Sequence, residues 1–123
     1  MEGSLNPLTR GISVMRRNDF EPMPFRCDIA HDGDAVRITL AGELDLDSTS
    51  KVEPLLRENG AQRRVLDLRE LTFMDSSGLR LILSAHSAAR REGTMLQIVP
   101  GPPAVQRVFQ ICGVEDELLF VGP

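Results

Sequence analysis

The 123-residue chain has no Trp and no Tyr, and aromatics make up only 4% of it. A base-stacking surface for single-stranded nucleic acid is therefore not expected. Lys51 is the one lysine, so the cationic charge is almost all Arg, and the net charge is −4. That balance argues against direct nucleic-acid binding, which needs clustered Lys and Arg. No run approaches the roughly 18 apolar residues of a membrane span. The first residues also lack the continuous apolar core of a signal peptide, since Gly11 to Met15 is short and Arg16-Arg17 follows it. A cytoplasmic location without membrane partners is the expectation. Cysteine is scarce too: Cys27 and Cys112 stand far apart, with no metal-ligand spacing around them. In a reducing compartment both read as small buried apolar residues rather than a disulfide. Neither a metal nor a cofactor is expected. What is present is ordinary globular composition, 41% hydrophobic and 26% charged, with enough chain for one compact core.

Residues Met1 to Pro24 hold Pro7, Pro22 and Pro24 and no sustained period. They read as an irregular arm with a short strand near Ile12 to Met15. A domain is expected over residues 25–123. Phe25, Cys27 and Ile29 alternate with polar neighbours, as do Val36, Ile38 and Leu40. Asp32-Gly33 between them signals a tight antiparallel hairpin. Ser50 with Glu53 fits a capping box ahead of Leu55 and Leu56, and Gly60 suits the end of that helix. Pro54 is awkward inside it, because proline removes a helical donor. Arg63 to Leu68 reads as a short strand. Leu79, Ile82, Leu83, Ala85 and Ala89 form a helical stripe that Gly93 closes. Thr94 to Val99 is another strand. Prolines after Gly101 open a last helix that Gly113 ends. Leu118 to Val121 is apolar enough for an edge strand. The order β-β-α-β-α-β-α predicts an α/β domain: a mixed sheet of four to five strands, with helices mainly on one face.

The stretch Asp75-Ser76-Ser77-Gly78 sits between Phe73-Met74 and that helical stripe. Three chemistries compete for it. A nucleophile elbow needs a glycine where Met74 stands and a histidine near the serine. His86 lies ten residues beyond Ser76, about 15 Å along a helix, and His31 lies at the hairpin. An esterase-like enzyme is therefore disfavoured. A helix cap explains one polar residue well, either Asp75 or Ser76. A phosphoacceptor serine at a helix start would add about −1.5 to −2 charge to an exposed patch, where the helix dipole tolerates it.

Ala41 to Ser48 ("AGELDLDS"), Val65 to Leu83 ("VLDLRELTFMDSSGLRLIL") and Gly101 to Leu118 ("GPPAVQRVFQICGVEDEL") resemble signature stretches of the STAS domain. The similarity is greatest to bacterial anti-sigma factor antagonists, and it covers about Phe25 to Val121. The resemblance implies regulated protein binding rather than catalysis. It implies phosphorylation of Ser76 by an anti-sigma factor that is also an ATP-dependent serine kinase, and reversal by a phosphoserine phosphatase. The unphosphorylated form would bind that partner and free a sigma factor. The implied contact surface comprises Glu43, Asp45, Asp47, Asp75, Ser76, Ser77 and Gly78. A rival within the family is a STAS scaffold of a transport or signalling assembly, with Ser76 acting only as a cap. The arm and Pro54 depart from the family pattern; neither touches the Ser76 stretch. His86 reads as a partly buried helix residue, Arg90-Arg91 as a solvated helix end, and Glu115 to Glu117 as a solvated turn.

Overall fold

In the computed structural model, residues 24–57 and 61–123 are described. The expected arm, its strand near Ile12 to Met15, and Gly60 lie outside them, Pro24 excepted. The elements run β1 (Arg26–Asp32), β2 (Ala35–Leu44), α1 (Leu46–Arg57), β3 (Arg63–Met74), α2 (Ser76–Glu92), β4 (Met95–Val99) and α3 (Pro103–Ile111), then a 3₁₀ turn over Glu115–Glu117. This is the predicted order. The sheet order is β1-β2-β3-β4, with β1 antiparallel to β2 and the remaining pairs parallel.

The hairpin joins β1 to β2 through Gly33-Asp34, one residue later than expected, because Asp32 still pairs with Ala35. Gly33 has φ 65°, the left-handed conformation that such two-residue turns require. The crossovers through α1 and α2 each link parallel neighbours, and the sheet grows in one direction throughout. Right-handed connections then place both helices on the same face. Pleating sends Val36, Ile38 and Leu40 to that face, and the register sets Leu66 beside Ile38 and Ile98 beside Leu66. These residues close a single core with Val52, Leu56, Leu79, Ile82, Val105 and Phe109 from the three helices.

Two elements differ from expectation in extent. Strand β3 runs to Met74, twice the length that Arg63 to Leu68 suggests. Its second half has two register shifts against β2, each with an extra β3 residue. Leu68, Leu71 and Met74 therefore turn inward at intervals of three, while Arg69, Glu70, Thr72 and Phe73 stay exposed. Bulges hide a strand from a period-two search. Helix α1 starts at Leu46, well before the proposed Ser50–Glu53 box. The Ser50 hydroxyl donates instead to the carbonyl of Asp47, and Glu53 pairs with Arg57 one turn on. Pro54 lies inside α1, which survives because Val52 and Leu56 are anchored in the core. The run Leu118 to Val121 makes a single bridge, Ile98 to Phe120, rather than a full strand. Cys27 is half-buried, whereas Cys112 is exposed at the C-terminal cap of α3, where the chain turns outward into Gly113. The expectation of two buried cysteines is corrected for Cys112. Both thiols are free, and partial burial, helped by the charge of Asp28, pushes the Cys27 thiol up.

The other sheet face carries a set of ion pairs. Arg26 bridges Asp28 and Glu70, and Arg37 and Arg69 both reach Asp67, at 2.9 and 2.8 Å. Asp67 is buried. Hydrogen bonds from the Arg69 side chain hold its carboxyl below the usual range against the opposing effect of burial. Its folded pKa is thus lower than its unfolded value of about 3.9. The stabilisation is complete above that value and disappears as pH falls through the folded pKa. Asp67→Asn is expected to cost about 1 kcal/mol near neutrality, because its arginine partners are partly solvated. The variant should also show a flatter acid limb in pH-dependent urea unfolding. An acid limb identical to that of the wild type would refute this role.

Candidate functional site

Leu44 and Met74 are register partners at the C-terminal ends of two parallel strands. The helices that follow therefore begin side by side, and the Asp75 amide donates to the Leu44 carbonyl at 3.2 Å. Binding sites of open α/β sheets commonly sit at this edge. The first strand–helix junction, which carries Glu43, Asp45 and Asp47, thereby neighbours the second, which carries Asp75, Ser76, Ser77 and Gly78.

Asp45 caps α1. Its Oδ1 accepts the Ser48 amide at 3.1 Å, while the Ser48 Oγ accepts the Asp45 amide at 2.8 Å. The buried Ser48 hydroxyl also lies 2.8 Å from the Glu43 carbonyl. This Asp45–Ser48 pair is the capping box of the helix, three residues apart as in the motif expected from Ser50. Hydrogen bonding by Ser48 holds the Asp45 carboxyl below the usual range. The carboxylate is occupied by its own helix. Asp47 is exposed, and Glu43 is half-buried.

Asp75 caps α2. Its backbone is extended (φ −104°, ψ −171°), and its Oδ1 accepts the amides of Ser77 at 2.8 Å and Gly78 at 3.2 Å. Its carbonyl accepts the Leu79 amide at 3.2 Å. The cap and the exposed hydroxyl are thus on different residues. Asp75 holds the helix, and Ser76, the first helical residue, is exposed; Ser77 is half-buried. Gly78 is buried. A Cβ built on it would meet Met74 Cγ at 2.6 Å and Leu44 Cδ2 at 3.0 Å. The space its missing side chain leaves is filled from within the chain, so Gly78 serves the packing of α2 on β2 and β3. Gly78, which the family resemblance places on the contact surface, therefore offers no open space to a partner or a phosphate.

Two residues that sequence reasoning passed over stand at the same edge. Leu46, the first residue of α1, is 72% exposed, and Phe73 is 46% exposed. The signal for Leu46 was an apolar residue between two acids, Asp45 and Asp47. Phe73 pairs in register with Glu43. The edge therefore combines the exposed Ser76 hydroxyl, the exposed Asp47 carboxylate and the exposed apolar side chains of Leu46 and Phe73, a mixture that suits protein recognition. His86 lies ten residues along α2 from Ser76 and is half-buried, as read from its place beside the apolar stripe.

The family profile described as "Mlab, STAS domain" matches residues 27–121. The chain belongs to the STAS-domain family. Among curated relatives, the anti-sigma F factor antagonist of Paenibacillus polymyxa is 31% identical over 97 residues. The match spans 75% of this chain and 82% of that protein. The crystal structure of an anti-sigma factor antagonist from Mycobacterium paratuberculosis shares the fold with a TM-score of 0.70 at 17% identity, covering 81% of this chain and 87% of that one. The anti-sigma factor antagonist SpoIIAA in its unphosphorylated form gives 0.63 at 24%, covering 80% and 88%. Its phosphorylated form, from Bacillus, gives 0.61 at 24%, covering 80% and 91%. The STAS fold of this chain is thus a mixed sheet with three helices, and its curated relatives are regulatory binding proteins. No helix among the described residues is long and apolar enough to cross a membrane.

Proposed function

We propose that this STAS protein is an anti-sigma factor antagonist that binds its anti-sigma factor when Ser76 is unmodified and releases it when Ser76 is phosphorylated. One observation carries the reading: Asp75 makes the cap, so the Ser76 hydroxyl has no structural duty and is exposed at the helix start. The partner is an anti-sigma factor with serine kinase activity. The terminal P–O bond of ATP breaks, a bond forms from Ser76 Oγ to phosphorus, ADP leaves, and the hydroxyl proton passes to a base on the kinase. A phosphoserine phosphatase restores the hydroxyl. Glu43, Asp47, Asp75 and Ser76 supply the polar part of the contact, with Leu46 and Phe73 as its apolar anchors. Asp45 and Gly78 support that surface from beneath.

The test is co-purification of the partner from native cells, followed by incubation with ATP and mass mapping of the chain. One phosphate on Ser76, accompanied by dissociation, is the expected result. Tight binding that ignores ATP would replace this reading with that of a scaffold. Phosphate on Ser77 would overturn the assignment.

A further inference from the structure

Arg80 stands one helical turn beyond Ser76 on α2, and both residues are exposed. Side chains at i and i+4 share a helix face, with Cβ atoms about 5–6 Å apart. Arg26, Arg37, Arg57 and Arg69 are each paired with a carboxylate. Among the described residues, Arg80 has neither an ion pair nor a side-chain hydrogen bond. Two of the backbone donors at the start of α2, by contrast, are already taken: Asp75 Oδ1 holds the amides of Ser77 and Gly78. A phosphate on Ser76 would meet a carboxylate of like charge where a helix start normally offers free N–H groups. Glu43, Asp45 and Asp47 at the adjoining end of β2 and start of α1 add further negative charge to that edge. The strong donor left on its own helix face is the Arg80 guanidinium, whose planar fork matches two phosphate oxygens. An acid one turn before a base is also the favoured order along a helix.

We propose that Arg80 is the intramolecular receptor of a phosphate on Ser76. Modification draws its guanidinium into a paired contact, so one event adds an anion and withdraws a free cation from the partner-facing surface. The proposal rests on Ser76 as the acceptor, and it concerns what this chain does with the phosphate once attached.

The test uses the full chain with phosphoserine encoded at position 76, carrying Arg80, Arg80→Gln, Arg80→Lys or, at the far end of the helix, Arg91→Gln. Phosphorus NMR follows the second phosphate ionisation, which lies at about 6 for an unperturbed phosphoserine. With Arg80 present it should lie about half a unit lower than in Arg80→Gln, and the difference should shrink in high salt. Arg80→Lys should recover part of the shift, and Arg91→Gln should leave it in place. Equal ionisation with Arg80 and with Gln, or an equal effect of Arg91→Gln, overturns the proposal. Because the phosphate is installed during synthesis, the result is independent of any kinase. If native phosphate maps elsewhere, the switch at Ser76 fails while the measured pairing stands. If Ser76 is the native site and the ionisation ignores Arg80, only the pairing fails.

Discussion

Ser76→Ala is expected to stay bound to the anti-sigma partner in the presence of ATP, whereas the phosphorylated wild-type chain should lose about 100-fold or more in affinity. Like charges brought together across an interface cost several kcal/mol, and each 1.4 kcal/mol is a factor of ten. The phosphate would be placed among Asp75, Asp47 and Glu43, beside the apolar Leu46 and Phe73 that a partner must dehydrate. Ser76→Asp should weaken binding less than phosphate does, because it carries less charge and fewer acceptor oxygens. The same variants separate the switch from the cap. Ser76→Ala should shift stability by no more than about 0.5 kcal/mol, as an exposed residue off the cap. Asp75→Ala should cost about 1 kcal/mol, because the Ser77 and Gly78 amides lose their acceptor. Titration calorimetry and urea unfolding read the two effects independently. Equal affinity for phosphorylated and unmodified chains would end the switch hypothesis, and a larger stability loss at Ser76 than at Asp75 would reverse the division of labour.

Phe109→Ala is expected to be the most damaging single core substitution at the C-terminal end, costing about 3–5 kcal/mol. Phe109 is fully buried on the inner face of α3, beside Val105. Its ring meets Phe120 edge-on, with centroids 5.3 Å apart and planes at 83°, a geometry worth about 0.5–1.5 kcal/mol beyond area burial. Phe120 in turn anchors the final segment, whose Leu119 carbonyl accepts the Ile98 amide and whose Val121 amide donates to the Ile98 carbonyl. Removing the ring opens a cavity between α3, β4 and that segment. A domain of this size has only about 5–15 kcal/mol in total, so the urea midpoint should fall steeply. The Val121 amide should also exchange faster than in the wild type, since its segment loses its anchor. A loss below about 2 kcal/mol, with Val121 exchange unchanged, would show that the last segment docks without Phe109.

The order of elements was legible because it rests on local patterns: alternation at Val36 to Leu40, the stripe Leu79 to Ala89, and glycines at turns. Gly33, Gly93 and Gly113 all adopt positive φ, a conformation that side chains resist and glycine does not. The Ser76 stretch was legible for the same reason, since Asp, Ser and Gly before an apolar run have few local uses. The start of α1 was not. Asp45 and Ser50 are both favoured N-cap residue types with a polar side chain three residues on, Ser48 and Glu53. What chooses between them is that β2 ends at Leu44 in register with Met74, a pairing between residues thirty positions apart. The second half of β3 was hidden likewise, because bulges against β2 impose a spacing of three on Leu68, Leu71 and Met74.

The sequence by itself determined which residues carry polar chemistry at the edge, and where strands and helices alternate. Only the tertiary structure decided how those residues divide the work. Asp75 and Ser76 are adjacent and equally capable of capping. One backbone dihedral pair at Asp75 turns its carboxylate onto the Ser77 and Gly78 amides and leaves the Ser76 hydroxyl outside. Gly78 belongs by resemblance to the contact surface, but the close approach of Met74 and Leu44 fills the space beside it. Leu46 and Phe73 look like core residues by type, and their exposure follows from the helix start and from the bulge that precedes Phe73. Local chemistry sets what each residue can do, whereas non-local register and packing set which neighbour it meets, and the second is not written in any single segment.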